Sequence, residues 1–262
     1  MKRGSPIPVA LTVAGSDSGG GAGIQADLRT FHAHGVFGTS AITCVTAQNP
    51  GRVSAVQAVK PRMVAEQMAR IFEAFPVAAA KTGMLYDAAI IETVARGFAR
   101  RKFRKLVIDP VMVAGSGARL LKEDAVEALT TDLFPQAAVV TPNLAEAEVL
   151  ARRSIRTVDE LRAAACWLAE KHGVPFLVKG GHLRGAKRAV DVLFDGKRFH
   201  EYRGAMVAGI KTHGTGCTFS ASIAANLALG HGLAESIARA KRFVTRAIRE
   251  SLVVGKYSAL KI

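Results

Sequence analysis

Cysteine is scarce in this sequence: Cys44, Cys166 and Cys217 are the three in 262 residues, odd in number and far apart. That argues against a disulfide-stapled scaffold and makes a reducing, cytoplasmic setting the expectation. Aromatic residues are few as well, with one Trp and three Tyr. Basic side chains are therefore not interleaved with stacking platforms, and no RNA-binding signature is present. No apolar run approaches the roughly twenty residues of a membrane span. Val9 to Ala14 is short, follows Pro6 and Pro8 and leads into glycines, so it reads as a first strand and not as a signal peptide. Internal repeats, low-complexity tracts and proline- or serine-rich linkers are missing too. A single domain over residues 1–262 is expected.

Acidic residues are outnumbered, 21 against 36 Lys and Arg, which gives a net charge of +15. The basic residues are spread over many segments, with one dense run at Arg100, Arg101, Lys102, Arg104 and Lys105. Such a field suits an anionic small molecule better than a specific nucleic-acid partner. Several familiar motifs are also missing. No G-x-x-x-x-G-K-[ST] and no G-x-S-x-G occurs, which removes P-loop enzymes and α/β-hydrolases. Gly21-x-Gly23-x-x-Ala26 matches a dinucleotide fingerprint by letter, but the acid expected about twenty residues later is lacking. His32, His34, His172, His200 and His231 show no metal-ligand spacing.

The elements that are legible alternate between strand and helix. Strands are expected at Val9 to Ala14, Ser40 to Thr46, Val53 to Val59, Ala78 to Thr82, Lys105 to Ile108, Val139 to Thr141 and Phe176 to Lys179, with a hairpin of Ala189 to Phe194 and Arg198 to Tyr202 around Asp195-Gly196. Val207 to Ile210 is a further apolar stretch. Helices are expected at Ile24 to His34, Arg62 to Phe72, Ala88 to Ala99, Glu123 to Leu129, Leu144 to Ala151, Val158 to Lys171, Thr218 to Leu229 and Ala234 to Leu252. Parallel strands need crossovers, so this alternation predicts an α/β fold with a mostly parallel central sheet and helices on both faces. Ligands in such sheets bind at the carboxyl ends of the strands, where the candidate motifs fall.

Each motif has a chemical and a plain reading. The loop Gly15 to Gly23 lets backbone amides approach an anion at a helix mouth, or is a tight strand-to-helix turn. Gly214-Thr215-Gly216-Cys217 opens a helix whose amides and dipole suit a phosphoryl group. A thiol there has a lowered pKa and can serve as a weak base; alternatively Cys217 is a small packed helix residue. Asn143 and Glu146 either hold hydrated Mg²⁺ through water or form a capping box. Lys179 meets a phosphate or is a surface lysine.

Read together, Ala14 to Asp17 with Gly20 to Asp27, Ala47-Gln48-Asn49, Asp109 to Met112, Thr141-Pro142-Asn143-Leu144-x-Glu146, Val178 to His182 and Thr212 to Thr218 resemble the bifunctional hydroxymethylpyrimidine and phosphomethylpyrimidine kinases of the ribokinase-like superfamily. The resemblance runs from about residue 9 to 229. It implies a ribokinase-like three-layer sandwich, ATP and Mg²⁺ as cofactors, a homodimer, and phosphate transfer to 4-amino-5-hydroxymethyl-2-methylpyrimidine and then to its monophosphate. Carried over by position, Gln48 pairs with the aminopyrimidine edge, and Gly15, Asp27, Met84 and Val111 line the ring and hydroxymethyl pocket. Gly214, Gly216 and Cys217 form the anion hole, Lys179 and Thr215 meet the phosphates, and Asn143 and Glu146 stand on the magnesium side. Related sugar kinases usually carry an aspartate where Cys217 stands, which favours the pyrimidine branch. Two departures are Val254 to Ser258, which keeps only the start of a glycine-proline tail, and Gly115, where a lysine often precedes Ser116-Gly117. A pyridoxine or pyridoxal kinase of the same fold is the neighbouring alternative, and a catalytically quiet basic binding protein is the alternative from another class.

Overall fold

Strands whose successive side chains are apolar on both sides build the centre of the molecule. In the computed structural model, which describes residues 6–112, 121, 124–181, 183, 188–206 and 213–262, a nine-stranded sheet is formed by β1 (Val9–Asp17), β2 (Phe37–Asn49), β3 (Arg52–Ala58), β4 (Val77–Thr82), β5 (Leu106–Ile108), β6 (Val139–Val140), β7 (Phe176–Lys179), β8 (Arg188–Phe194) and β9 (Phe199–Ala205). Its spatial order is β3-β2-β1-β4-β5-β6-β7-β8-β9. The six strands from β2 to β7 in that order run parallel, and β3, β8 and β9 add antiparallel edges.

Period-two alternation sorts the strand side chains into two separate cores. Leu11, Val13, Ala80, Leu106, Ile108, Val140, Phe176 and Val178 face one layer of helices. That layer holds α2 (Pro61–Ala74), α3 (Ala88–Ala99), α4 (Ala125–Ala128), α5 (Leu144–Ala151) and α6 (Val158–His172). Their neighbours Ala10, Ala79, Val107, Val139, Leu177 and Leu193 face α1 (Gly23–Ala33), α7 (Thr215–Ala228) and α8 (Leu233–Arg249). The result is the expected three-layer sandwich.

Local signals set the helix ends. Asp87 caps α3 by accepting from the Ile90 amide, and Thr157 with Glu160 forms a capping box on α6, which Gly173 closes in a left-handed turn. Three expected boundaries differ in consequential ways. The helix expected from Glu123 is described from Ala125 and continues as a π turn, Leu129–Leu133. The last helix stops at Arg249, because the β-branched Val253 and Val254 pair with Tyr257–Ala259 as a small hairpin of β10 (Leu252–Val254) and β11 (Tyr257–Ala259) around Gly255. Helix α7 begins at Thr215, three residues before the expected Thr218, which brings Gly216 and Cys217 into its first turn. Val207 to Ile210, Thr212, His182 and the Gly115 to Gly117 positions lie outside the described residues.

Candidate active site

Two helix N-termini converge at the carboxyl end of β1. Gly214, the residue before α7, has φ of 82° and lies so close to the Gly21 carbonyl that an added Cβ would overlap its oxygen. Glycine is therefore required there on both conformational and steric grounds. The two mouths differ in charge. At α1 the carboxylate of Asp17 already accepts hydrogen bonds from the amides of Gly19, Gly21 and Ala22, at 2.8, 3.1 and 2.9 Å. Burial pushes the Asp17 carboxyl up, but the bonds from His213, Ala22 and Gly19 outweigh it and hold the group below its ordinary range. The chain thus supplies its own anion to the glycine-rich loop, and the expectation that these amides serve a ligand is corrected. At α7 the N-cap is Gly214, and no side-chain cap is formed among the described residues; the positive end of the helix dipole lies at this mouth.

The floor of the α7 mouth is a buried ionic cluster. Lys179, at the end of β7, donates to Asp109 at 3.1 Å, and Ser220 on α7 donates to the other oxygen of Asp109. A Cβ on Gly216 would stand 3.5 Å from the Lys179 Nζ, which places that amine under the first turn of α7. Burial disfavours the charged amine, yet Asp109 and Glu146 beside it raise Lys179 above the usual lysine range. The plain reading of Lys179 as a surface lysine is excluded.

Asn143 and Glu146 do form the capping box of α5: Asn143 Oδ1 accepts from the Glu146 amide and Glu146 accepts from the Asn143 amide. The second carboxylate oxygen of Glu146 accepts from the Met112 amide at 3.1 Å. Burial raises the Glu146 carboxyl; Lys179 pulls it back and Asp109 pushes it further up. Among the described residues no group of three or more His, Cys, Asp or Glu could hold a metal ion. Asn143 Oδ1 and both Glu146 carboxylate oxygens each already accept from a backbone amide.

Beneath Cys217 lies a second ion pair that spacing alone did not reveal. Lys81 on β4 reaches both oxygens of Asp27 on α1, at 3.0 and 2.9 Å, and Thr12 on β1 donates to the same carboxylate at 2.7 Å. Both charged side chains are wholly buried. The oxygens of Asp27, which the resemblance puts at the pocket lining, accept from Lys81 and Thr12. Burial favours a neutral amine, but Asp27, with Cys217 and Asp109 near it, keeps Lys81 protonated and above its usual range.

The expected lowering of the Cys217 pKa is also reversed. Burial pushes the thiol up to about 11; Lys81 and the Gly23 amide pull it down, while Asp27 and Asp109 push it up. The helix terminus and one lysine do not offset loss of water and two buried carboxylates. Burial therefore favours the neutral thiol of Cys217.

An apolar slot adjoins this floor. Cys44 and Met84 are buried together, with Val53, Val56, Tyr86 and Val111 packed against them. A Cβ on Gly15 would come within 2.7 Å of the Cys44 sulfur, so the backbone packs directly on the slot's edge and leaves no room for a side chain. Gln48 stands on β2 above it, with its Nε2 2.9 Å from His213 Nε2. That imidazole nitrogen is also 3.0 Å from Asp17 Oδ2.

The sequence and the fold are similar to those of known proteins. A family model described as phosphomethylpyrimidine kinase matches residues 17–260. The chain belongs to the phosphomethylpyrimidine kinase family. Within it, the hydroxymethylpyrimidine/phosphomethylpyrimidine kinase of Synechococcus elongatus is 46% identical over 95% of each chain. The thiamine biosynthesis bifunctional protein ThiED of Geobacter sulfurreducens is 47% identical over 98% of this chain, which spans about half (52%) of that longer relative. Among solved structures, the phosphomethylpyrimidine kinase of Clostridium difficile 630 has a TM-score of 0.81 at 40% identity, covering 93% of this chain and 100% of that one. The ADP complex of Bacillus subtilis pyridoxal kinase has a TM-score of 0.89 at 37% identity, covering 98% and 97%. The ribokinase-like fold expected from the motifs is thereby established.

For this phosphomethylpyrimidine kinase family member, the fold gathers Gly214, Thr215, Gly216, Cys217 and Lys179 at one mouth. Gly15, Met84 and Val111 meet at the slot beside it, and Asn143 and Glu146 stand behind Lys179. Lys81, Asp109, Ser220 and His213 are the residues that motif reading passed over as separate actors. Lys81 offered one faint signal: a lysine inside the small, apolar run Ala78 to Thr82 must be buried and must find an acid.

Proposed function

We propose that this chain transfers the γ-phosphoryl group of ATP to the hydroxymethyl oxygen of 4-amino-5-hydroxymethyl-2-methylpyrimidine, and then a second phosphoryl group to the resulting monophosphate, in thiamin biosynthesis. The observation that carries the reading is the glycine-capped N-terminus of α7 at Gly214 to Cys217. It opens above the Lys179–Asp109 pair beside the apolar Cys44–Met84 slot, in a chain nearly half identical to hydroxymethylpyrimidine/phosphomethylpyrimidine kinases over its length.

Gln48 supplies both a donor and an acceptor for the aminopyrimidine edge, and Gly15, Met84 and Val111 hold the flat ring. The amides of Gly214, Gly216 and Cys217 receive the charge that builds on the transferring phosphoryl group, and Lys179 and Thr215 steady the phosphates. Magnesium, when bound, neutralises phosphate charge, with Asn143 and Glu146 meeting it through water. As a neutral thiol, Cys217 orients the attacking hydroxyl without first removing its proton. A loose phosphoryl-transfer transition state tolerates this, because positioning and charge neutralisation supply most of the rate.

The same reading places the protein in the cytoplasm as a homodimer; no described helix is long and apolar enough to cross a membrane. Exposed Leu252, Val253 and Val254 offer an apolar face for a second copy, and a monomeric mass by light scattering removes the dimer. The likeness to pyridoxal kinases keeps a hydroxymethylpyridine as the second substrate to test. A coupled assay of ADP release with Mg-ATP and the pyrimidine, its monophosphate, pyridoxine or ribose decides between them. Turnover of both pyrimidine species is expected. Turnover of pyridoxine alone moves the activity to that ring, and silence on all four overturns the kinase reading.

A further inference from the structure

Four described non-glycine residues have positive φ, a conformation that costs an L side chain free energy. Two have ordinary reasons. Arg152 is the left-handed cap of α5, and Lys102 lies in the turn that closes α3. The other two are Tyr86, at 76°, and Val111, at 45°. They belong to different loops, after β4 and after β5, yet both side chains pack on the same Cys44–Met84 cluster. An aromatic and a β-branched residue are poor choices for this backbone unless the direction of the side chain matters.

At Tyr86 the backbone is held in place from both sides. The Asp87 amide donates to the Leu85 carbonyl at 3.0 Å, which with the positive φ of Tyr86 makes a γ-turn of the strained hand. Asp87 is then tied down as the cap of α3, and the Met84 carbonyl accepts from Thr43 at 2.6 Å. The turn cannot relax without releasing a helix cap on one side or a strand contact on the other. Its effect is to pack the half-buried side chain of Tyr86 against the Cys44–Met84 cluster.

We propose that Tyr86 is a specificity-determining residue: its strained turn fixes an aromatic wall on the ring slot, which admits the aminopyrimidine and disfavours a more heavily substituted pyridine ring. The inference rests on the function proposed above, because it concerns which ring that slot accepts. Pyridoxine carries a ring hydroxyl and a second hydroxymethyl group where the pyrimidine has a ring nitrogen and an amino group, so it needs more room. A rigid wall discriminates by exclusion, on the scale of tens-fold for each added heavy atom or two.

The test compares full-length wild type with Tyr86→Phe, Tyr86→Ala and Tyr86→Gly, measuring kcat/KM and calorimetric affinity for the hydroxymethylpyrimidine and for pyridoxine. Tyr86→Phe should keep the wild-type preference. Tyr86→Ala and Tyr86→Gly should reduce the pyrimidine-to-pyridoxine ratio by about tenfold or more. Glycine suits the turn, so Tyr86→Gly should melt no lower than Tyr86→Ala, which keeps the comparison valid if the alanine variant folds poorly. A ratio unchanged within about twofold in both small variants overturns the proposal. Wild-type binding of the pyrimidine without turnover removes the kinase reading and leaves the affinity ratio to judge Tyr86. Failure of wild type to bind either ring overturns the slot itself.

Discussion

Cys217 and Lys81 are neighbours whose protonation states are set against each other. Because burial holds the Cys217 thiol up at about 11, its alkylation by iodoacetamide should keep accelerating above about pH 9, where an ordinary free thiol has already levelled off. Peptide mass spectrometry separates Cys217 from Cys44 and Cys166, and a plateau near neutral pH would restore the sulfur's role as a base. Lys81 offers a sharper stability test. Lys81→Met strands Asp27 without its partner in a fully buried site, and a loss of roughly 3–5 kcal/mol is expected in urea unfolding. Adding Asp27→Leu removes the stranded charge and should recover much of that loss. A double variant as unstable as the single one would show that the ion pair does not account for the cost.

At the scale of elements, the glycine loop before α1 and the mouth of α7 look alike in sequence and differ in what occupies them. Asp17 fills the first, so the loop is a preformed wall and its stability depends on a carboxylate. The sign follows from its lowered pKa. Its contribution is fully present above the ordinary value of 3.8 and is lost as pH falls through the lower folded-state value. Asp17→Asn should therefore cost about 2 kcal/mol at neutral pH, while the gap from wild type closes in strong acid. Thermal melts at a series of pH values check this, and a gap that persists unchanged below about pH 2 would assign the cost to packing instead of charge. These elements also show why some features were legible and others were not. The start of β1, the bounds of α3, α5 and β7, and the asparagine cap follow from neighbours a few residues apart, and each was readable. The Lys81–Asp27, Lys179–Asp109 and His213–Asp17 contacts join positions 54, 70 and 196 residues apart. No local pattern encodes them.

For the whole molecule, the net charge of +15 should act on encounter more than on chemistry. Raising salt is expected to lower kcat/KM for Mg-ATP several-fold while kcat changes little, because screening shortens the reach of the surface field but hardly touches the buried cluster. Steady-state kinetics in sodium chloride would show it; an equal fall in kcat would mean that salt reaches the catalytic floor. The sequence by itself determined the layer architecture, the order of the motifs and the class of chemistry. Alternating apolar periods, glycines at strand ends and helix caps act over a few residues and survive being read in one dimension. Only the tertiary structure decided which loop amides Asp17 takes up, that Asp27 pairs with Lys81, and that burial favours the neutral thiol of Cys217. Each of those outcomes depends on burial and on charges brought together from distant strands, and electrostatic free energy in a dry interior is set by three-dimensional distance.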